Sequence, residues 1–133
     1  MEIKSSADSY NEISSRIINC CIEVHKELGP GLVESVYEEC ACHVMKENGL
    51  FVQRQIVLPV HFKGKELNKT FVLDVLVNDM VIVEFKTVEV ILPVHEAQLV
   101  TYLKLTDKKL GLLINFNVAL LKDGIRRKIS GSL

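Results

Sequence analysis

The sequence predicts an α/β fold in which helices pack on one mixed sheet. Three observations lead there. Apolar residues recur at helical spacing up to about Glu47, the pattern then changes to runs rich in Val, Ile, Leu and Phe separated by turn residues, and the chain returns to a helix before a nearly continuous apolar run. A chain of 133 residues, 48% hydrophobic and 25% charged, has an ordinary globular composition and is long enough to bury a core without disulfides or a structural metal. Residues 1–133 are therefore expected to form one domain.

The elements follow in order. Ile13, Ile17, Cys20, Cys21 and Val24 define an amphipathic helix over Ser9 to Glu27, with Asp8 or Ser9 as its cap, and Leu28-Gly29-Pro30-Gly31 stops it. A second helix is expected from near Leu32 to about Glu47, ending at Asn48-Gly49. Val52, Ile56, Val57, Leu58, Val60 and Phe62 are strand formers, and Lys63-Gly64-Lys65 turns them into a strand through Thr70 to Val77. Asn78-Asp79 turns again into Met80 to Lys86, giving three consecutive antiparallel strands. Pro93 opens a helix containing Ala97, Val100, Leu103 and Leu105 that ends before Asp107. The run Leu110 to Phe116 reads as a buried strand reached by a crossover. Ser130 to Leu133 reads as a frayed end.

Several function classes are excluded at this point. No apolar stretch approaches the roughly 20 residues of a membrane span, and the polar start Met1 to Ser6 leads into no export signal, so a cytoplasmic address is expected. Cys20-Cys21 and Cys40-x-Cys42 have neither a secreted disulfide framework nor the paired CxxC spacing of a zinc site; reduced thiols are expected. The formal net charge of -1 gives no general attraction to nucleic acid. Its distribution is uneven, because residues 51–133 carry twelve bases against eight acids. Lys104, Lys108, Lys109, Lys122, Arg126, Arg127 and Lys128 read either as a phosphate-facing cluster or as a solvated face.

The informative anomaly is charge inside apolar strands. Asp74 interrupts the run from Phe71 to Val77, and Glu84 and Lys86 interrupt the run from Val81. An unpartnered ion there costs several kcal/mol, so such groups are paired, neutralised or bound to a metal. Side chains alternate along a strand, which puts Glu84 and Lys86 on one face, and the short turn after Val77 brings Asp74 towards Glu84. Two convergent carboxylates suit a hard cation such as Mg²⁺. The competing structural reading is an internal salt bridge of Lys86 with Asp74 or Glu84.

Asp74, nine intervening residues and then Glu84-Phe85-Lys86 resemble the signature of the PD-(D/E)XK nuclease superfamily. Gly31-Leu32-Val33-Glu34-Ser35-Val36-Tyr37 resembles the naming motif of its GxxExxY family. Three further segments resemble that family: Leu92 to Gln98 with Tyr102, Gly111 to Phe116, and Leu121 to Arg127. The similarity covers about residues 9 to 129 and departs from the pattern at Val72, where a polar residue is expected. The resemblance implies a restriction-endonuclease-like core, a mixed four-stranded sheet flanked by helices. It also implies that Asp74 and Glu84 hold Mg²⁺ or Mn²⁺ and that Lys86 belongs to the catalytic set.

Helical spacing supplies the outer candidates. Glu34 lies one turn before Tyr37 and Glu38, and Gln98 shares a face with Tyr102. Glu34 would orient water or complete the metal site, against a plain role at a helix N-terminus. Gln98 and Tyr102 would bond phosphate or water, against satisfying buried backbone. His95 reads as a capping or surface residue as readily as a catalytic one. The expected activity is metal-dependent hydrolysis of DNA or RNA, with a homodimer or another partner supplying recognition. The alternatives are a catalytically silent module that binds nucleic acid or protein, and a nuclease-like toxin or defence component that needs a partner.

Overall fold

A computed structural model describes residues 5–133. The polar start read for an export signal lies largely outside the described residues. The first helix, α1 (Ser6–Leu28), begins earlier than its spacing suggested: Ser5 is the cap, its Oγ accepting from Asp8 N at 3.1 Å, and Asp8 sits in the first turn. Neither expected cap holds that position. At the other end Gly29 stops the helix at φ 68°, a conformation that suits glycine. Helix α2 (Glu34–Glu47) follows and packs on α1.

The long hairpin of β1 (Val52–Phe62) and β2 (Lys65–Val77) turns at Lys63 and Gly64, both with positive φ, as a tight two-residue hairpin requires. Asn78 and Asp79, also at positive φ, lead into β3 (Val81–Lys86). Helix α3 (Pro93–Thr106), with Pro93 in its first turn, crosses to β4 (Leu110–Asn115), which runs parallel to β3. A 3-10 turn at Leu121–Gly124 then feeds β5 (Ile125–Ile129), antiparallel to β4. Among the described residues the sheet is thus mixed and five-stranded in the order β1-β2-β3-β4-β5, one strand more than expected. The expected frayed end also differs: Ser130 N bonds Lys109 O and Leu133 packs on the main core.

Two cores flank the sheet. On one face α1 and α2 bury Ile17, Cys21, Tyr37 and Met45 against Val75, Val83, Phe85 and Leu112. On the other, Leu99 and Leu103 of α3 lie against Ile82, Leu76, Leu73 and Leu113. Gly111 explains the close seat of α3, since a Cβ there would meet Leu99 Cδ1 at 2.7 Å. All four cysteines are free, and no described helix is long and apolar enough to cross a membrane.

One irregularity positions everything that follows. Val75 and Val77 belong to the α1/α2 core, yet Leu73 and Phe71, in step with them by period two, pack with α3. The alternation reverses at Asp74, beside Gln55 of β1, whose φ is 49°. At the same level the β2–β3 ladder, which pairs Val77 with Val81 and Val75 with Val83, comes to an end.

Candidate active site

Continuing the β2–β3 register by one step sets Asp74 opposite Glu84. The backbone ladder is replaced there by carboxylates. Phe85 N donates to Asp74 Oδ2 at 3.0 Å, and Asp74 N donates to Glu84 Oε2 at a longer 3.4 Å. The two carboxyl groups lie within interaction range of each other, and each disfavours ionisation of its neighbour. Burial and then the neighbouring Asp74 carboxyl push Glu84 up to about 10, with the Asp74 N–H and the Lys86 charge opposing. Glu84 is 6% exposed, and its Oε1 is buried with no hydrogen-bond partner.

Lys86 is half-buried at the end of β3. It makes no ion pair within 4 Å among the described residues, so the expected alternative, an internal salt bridge to Asp74 or Glu84, is absent. Its backbone is fixed from β4. Lys86 O accepts from Phe116 N at 2.9 Å, and buried Asn115, beside Lys86 in the parallel register, clamps Val88 by both its N–H and C=O at 3.1 and 2.8 Å. The signal for Asn115 was one amide closing an otherwise apolar run.

Glu34 reaches the same place from the first turn of α2. Burial raises its pKa, the Lys86 charge lowers it, and the Asp74 and Glu38 charges raise it, so it lies within electrostatic range of the pair and of the lysine. Tyr102 approaches from α3. Burial and then the charges of Glu84 and Asp74 raise its pKa, and its ring lies 5.1 Å from Phe71 at the root of the hairpin. Gln98, one turn earlier, is exposed. His95 caps α3, its Nδ1 accepting from Leu92 N at 3.0 Å.

Tyr37 has a different task from Glu34. It is fully buried, stacks on Phe116 with centroids 4.4 Å apart, donates its hydroxyl to Gly29 O and accepts from Leu32 N at 3.1 Å. It therefore ties down the loop that delivers Glu34, while Gly31 supplies the φ of 102° which that loop needs. Glu38 is likewise structural. It bonds Arg54 Nη2 and Gln55 Nε2, each at 2.9 Å, and so holds the reversed strand segment against α2. Sequence spacing could suggest Glu38, but nothing in it marks the left-handed Gln55.

The basic residues near the C-terminus do not form one patch. On β5, Arg127 turns to the α1 side and bonds Asn11 at 2.6 Å, whereas Lys128 turns to α3 and pairs with Glu96 at 2.8 Å. Lys108 is held by Asp79 at 3.1 Å. Strand alternation scatters what looks contiguous in the chain.

Among the described residues no group of three or more His, Cys, Asp and Glu is arranged to hold a metal. The available donor set is the Asp74–Glu84 pair. A buried carboxylate oxygen without a partner, beside a second carboxylate, has the chemistry a hard cation satisfies. Compared with known proteins, a family model described as PD-(D/E)XK nuclease superfamily matches residues 11–128. No curated protein and no solved structure matches.

Proposed function

The chain belongs to the PD-(D/E)XK nuclease superfamily, and on that premise we propose that it is a divalent-metal-dependent nuclease of the GxxExxY type, acting in the cytoplasm on DNA or RNA. Its mixed sheet flanked by helices is of the restriction-endonuclease-like class. The observation that carries the reading is the Asp74–Glu84 pair beside Lys86, which makes no ion pair within 4 Å among the described residues.

In this reading Asp74 and Glu84 hold Mg²⁺ or Mn²⁺ in place of the proton on Glu84. When bound, the ion supplies Lewis-acid polarisation of a phosphoryl oxygen and acidifies water. The chain does the positioning. Lys86 holds the attacking water and stabilises charge developing on the phosphate, and Glu34 orients that water. Tyr102 and Gln98 donate hydrogen bonds to the phosphate. The water oxygen gives up a proton to solvent as it bonds to phosphorus, the bond to the leaving sugar oxygen breaks, and that oxygen takes a proton from solvent.

A second reading, a silent nuclease-fold module that binds nucleic acid or a protein, draws on the net charge of -1 and the dispersed basic residues. Either reading leaves room for a homodimer or a recognition partner. The test is incubation with single-stranded, duplex and branched nucleic acids, in Mg²⁺ or Mn²⁺ and then in chelator, beside Asp74→Ala and Lys86→Ala. The nuclease reading expects metal-dependent cleavage, lowered by roughly 10²-fold or more in both variants. Cleavage that survives both substitutions sinks the site, and binding without cleavage favours the silent module.

A further inference from the structure

We propose that the β1–β2 hairpin beyond Asp74 is a nucleic-acid-binding arm that lays Lys63, Lys65 and Lys69 along phosphates flanking the carboxylate pair. The inference rests on the nucleic-acid substrate of the reading above. It begins from a mismatch of lengths: β1 and β2 pair from Val52↔Val77 out to Phe62↔Lys65, whereas β2 and β3 pair only from Val75 to Val77. Among the described residues no strand pairs with the other side of β2 from Leu73 outward, so the hairpin leaves the sheet at the site. Its root is anchored on α3 through Ile56, Leu58, Phe71 and Leu73. Every residue from 61 to 70 is exposed.

The arm is cationic although the chain is not. Between residues 55 and 73 the only acid is Glu66, against Lys63, Lys65 and Lys69. These lysines stand on paired strands and a tight turn, a stiffer mount than a loop. Phe62, 61% exposed with Lys63 Nζ 5.6 Å from its ring centre, adds an aromatic face of the kind on which unpaired bases stack. At ~3.3 Å per residue, Lys65 lies about 30 Å along the strand from Asp74. That is close to the ~34 Å of one duplex turn, so tip and site can meet one molecule of nucleic acid. Lysines on an open strand edge also prevent strand-to-strand association, which is the role the experiment must separate.

The test is fluorescence anisotropy of a labelled 30-base-pair duplex and a 30-nucleotide single strand, in EDTA, between about 50 and 200 mM KCl. Wild type is compared with Lys63→Gln/Lys65→Gln/Lys69→Gln, with each single substitution, and with Lys46→Gln at the far end of α2. The triple variant is expected to bind at least about tenfold more weakly at low salt, with a log–log salt slope shallower by roughly 2 to 3, and each single variant by about 1. Lys46→Gln keeps the wild-type slope. Wild-type affinity and slope in the lysine variants overturn the arm while leaving the carboxylate chemistry standing. Aggregation or altered oligomeric state with unchanged affinity assigns the lysines to edge protection and also overturns it. A lysine-dependent slope in a protein that cleaves nothing keeps the arm and removes the nuclease reading.

Discussion

Asp74 and Glu84 each bond the other's strand: Phe85 N donates to Asp74 Oδ2, and Asp74 N donates to Glu84 Oε2. The two residues that would carry the chemistry are therefore also structural rungs, and their protonation enters the stability of the fold.

The sign of that linkage is fixed by Glu84, whose pKa rises from 4.5 to about 10 on folding, chiefly through burial. The folded state holds a proton that the unfolded state has released, so the stabilisation is complete below about pH 4.5 and is lost as pH rises towards 10. Glu84→Gln should match wild type within about 1 kcal/mol near pH 4. Near pH 8 it should melt several degrees higher, a shift of ~2–8 °C per kcal/mol for a domain of this size. Thermal unfolding in EDTA across that range measures it; equal melting temperatures at pH 8 would disprove the proton on Glu84.

A cation that takes the proton's place should stabilise the protein. At a hundredfold excess over Kd the gain is about 2.7 kcal/mol, and it should grow with pH as Glu84 gives up its proton. Differential scanning fluorimetry with Mn²⁺ should show the rise in wild type. It should vanish in Asp74→Asn and Glu84→Gln; an undiminished rise in both would place the cation elsewhere.

Tyr37→Phe removes the hydroxyl that bridges Gly29 O and Leu32 N and keeps the stacked ring. The expected loss is about 1–3 kcal/mol from buried backbone groups left unpaired. Cleavage should fall further than stability explains, because the freed loop carries Glu34. Urea unfolding alongside single-turnover cleavage separates the two effects, and unchanged stability would contradict the tether.

Gly124→Ala should be among the most damaging small substitutions. Its Cβ would stand 2.2 Å from Asn115 O, a backbone atom of β4 that cannot swing aside. A loss of about 2 kcal/mol or more is expected by analogy with overpacked cores, visible as a lower urea midpoint. A variant as stable as wild type would show that the β4–β5 connection is free to shift.

Much of this molecule was legible in its sequence. The helical spacing of Ile13, Ile17 and Val24, the Lys63-Gly64 turn and Pro93 located elements where local chemistry decides them. Asp74 and Glu84 announced themselves because ions within apolar runs need a partner. What stayed hidden depended on other segments. Strand β5 consists of Ile125, three basic residues and Ile129, and reads as a charged surface until β4 pairs with it. The reversal at Gln55 comes from an αL residue with no local signature, held by Glu38 of α2. The same strand alternation sends Arg127 and Lys128 to opposite faces.

The short β2–β3 ladder has a mechanical meaning. Three residue pairs join the β1–β2 hairpin to the β3-β4-β5 unit, and the carboxylates lie immediately beyond them. The site is thus a clasp on a seam. Whatever fills it bears on the bonds that continue the fastening of these two parts of the sheet past the end of the ladder.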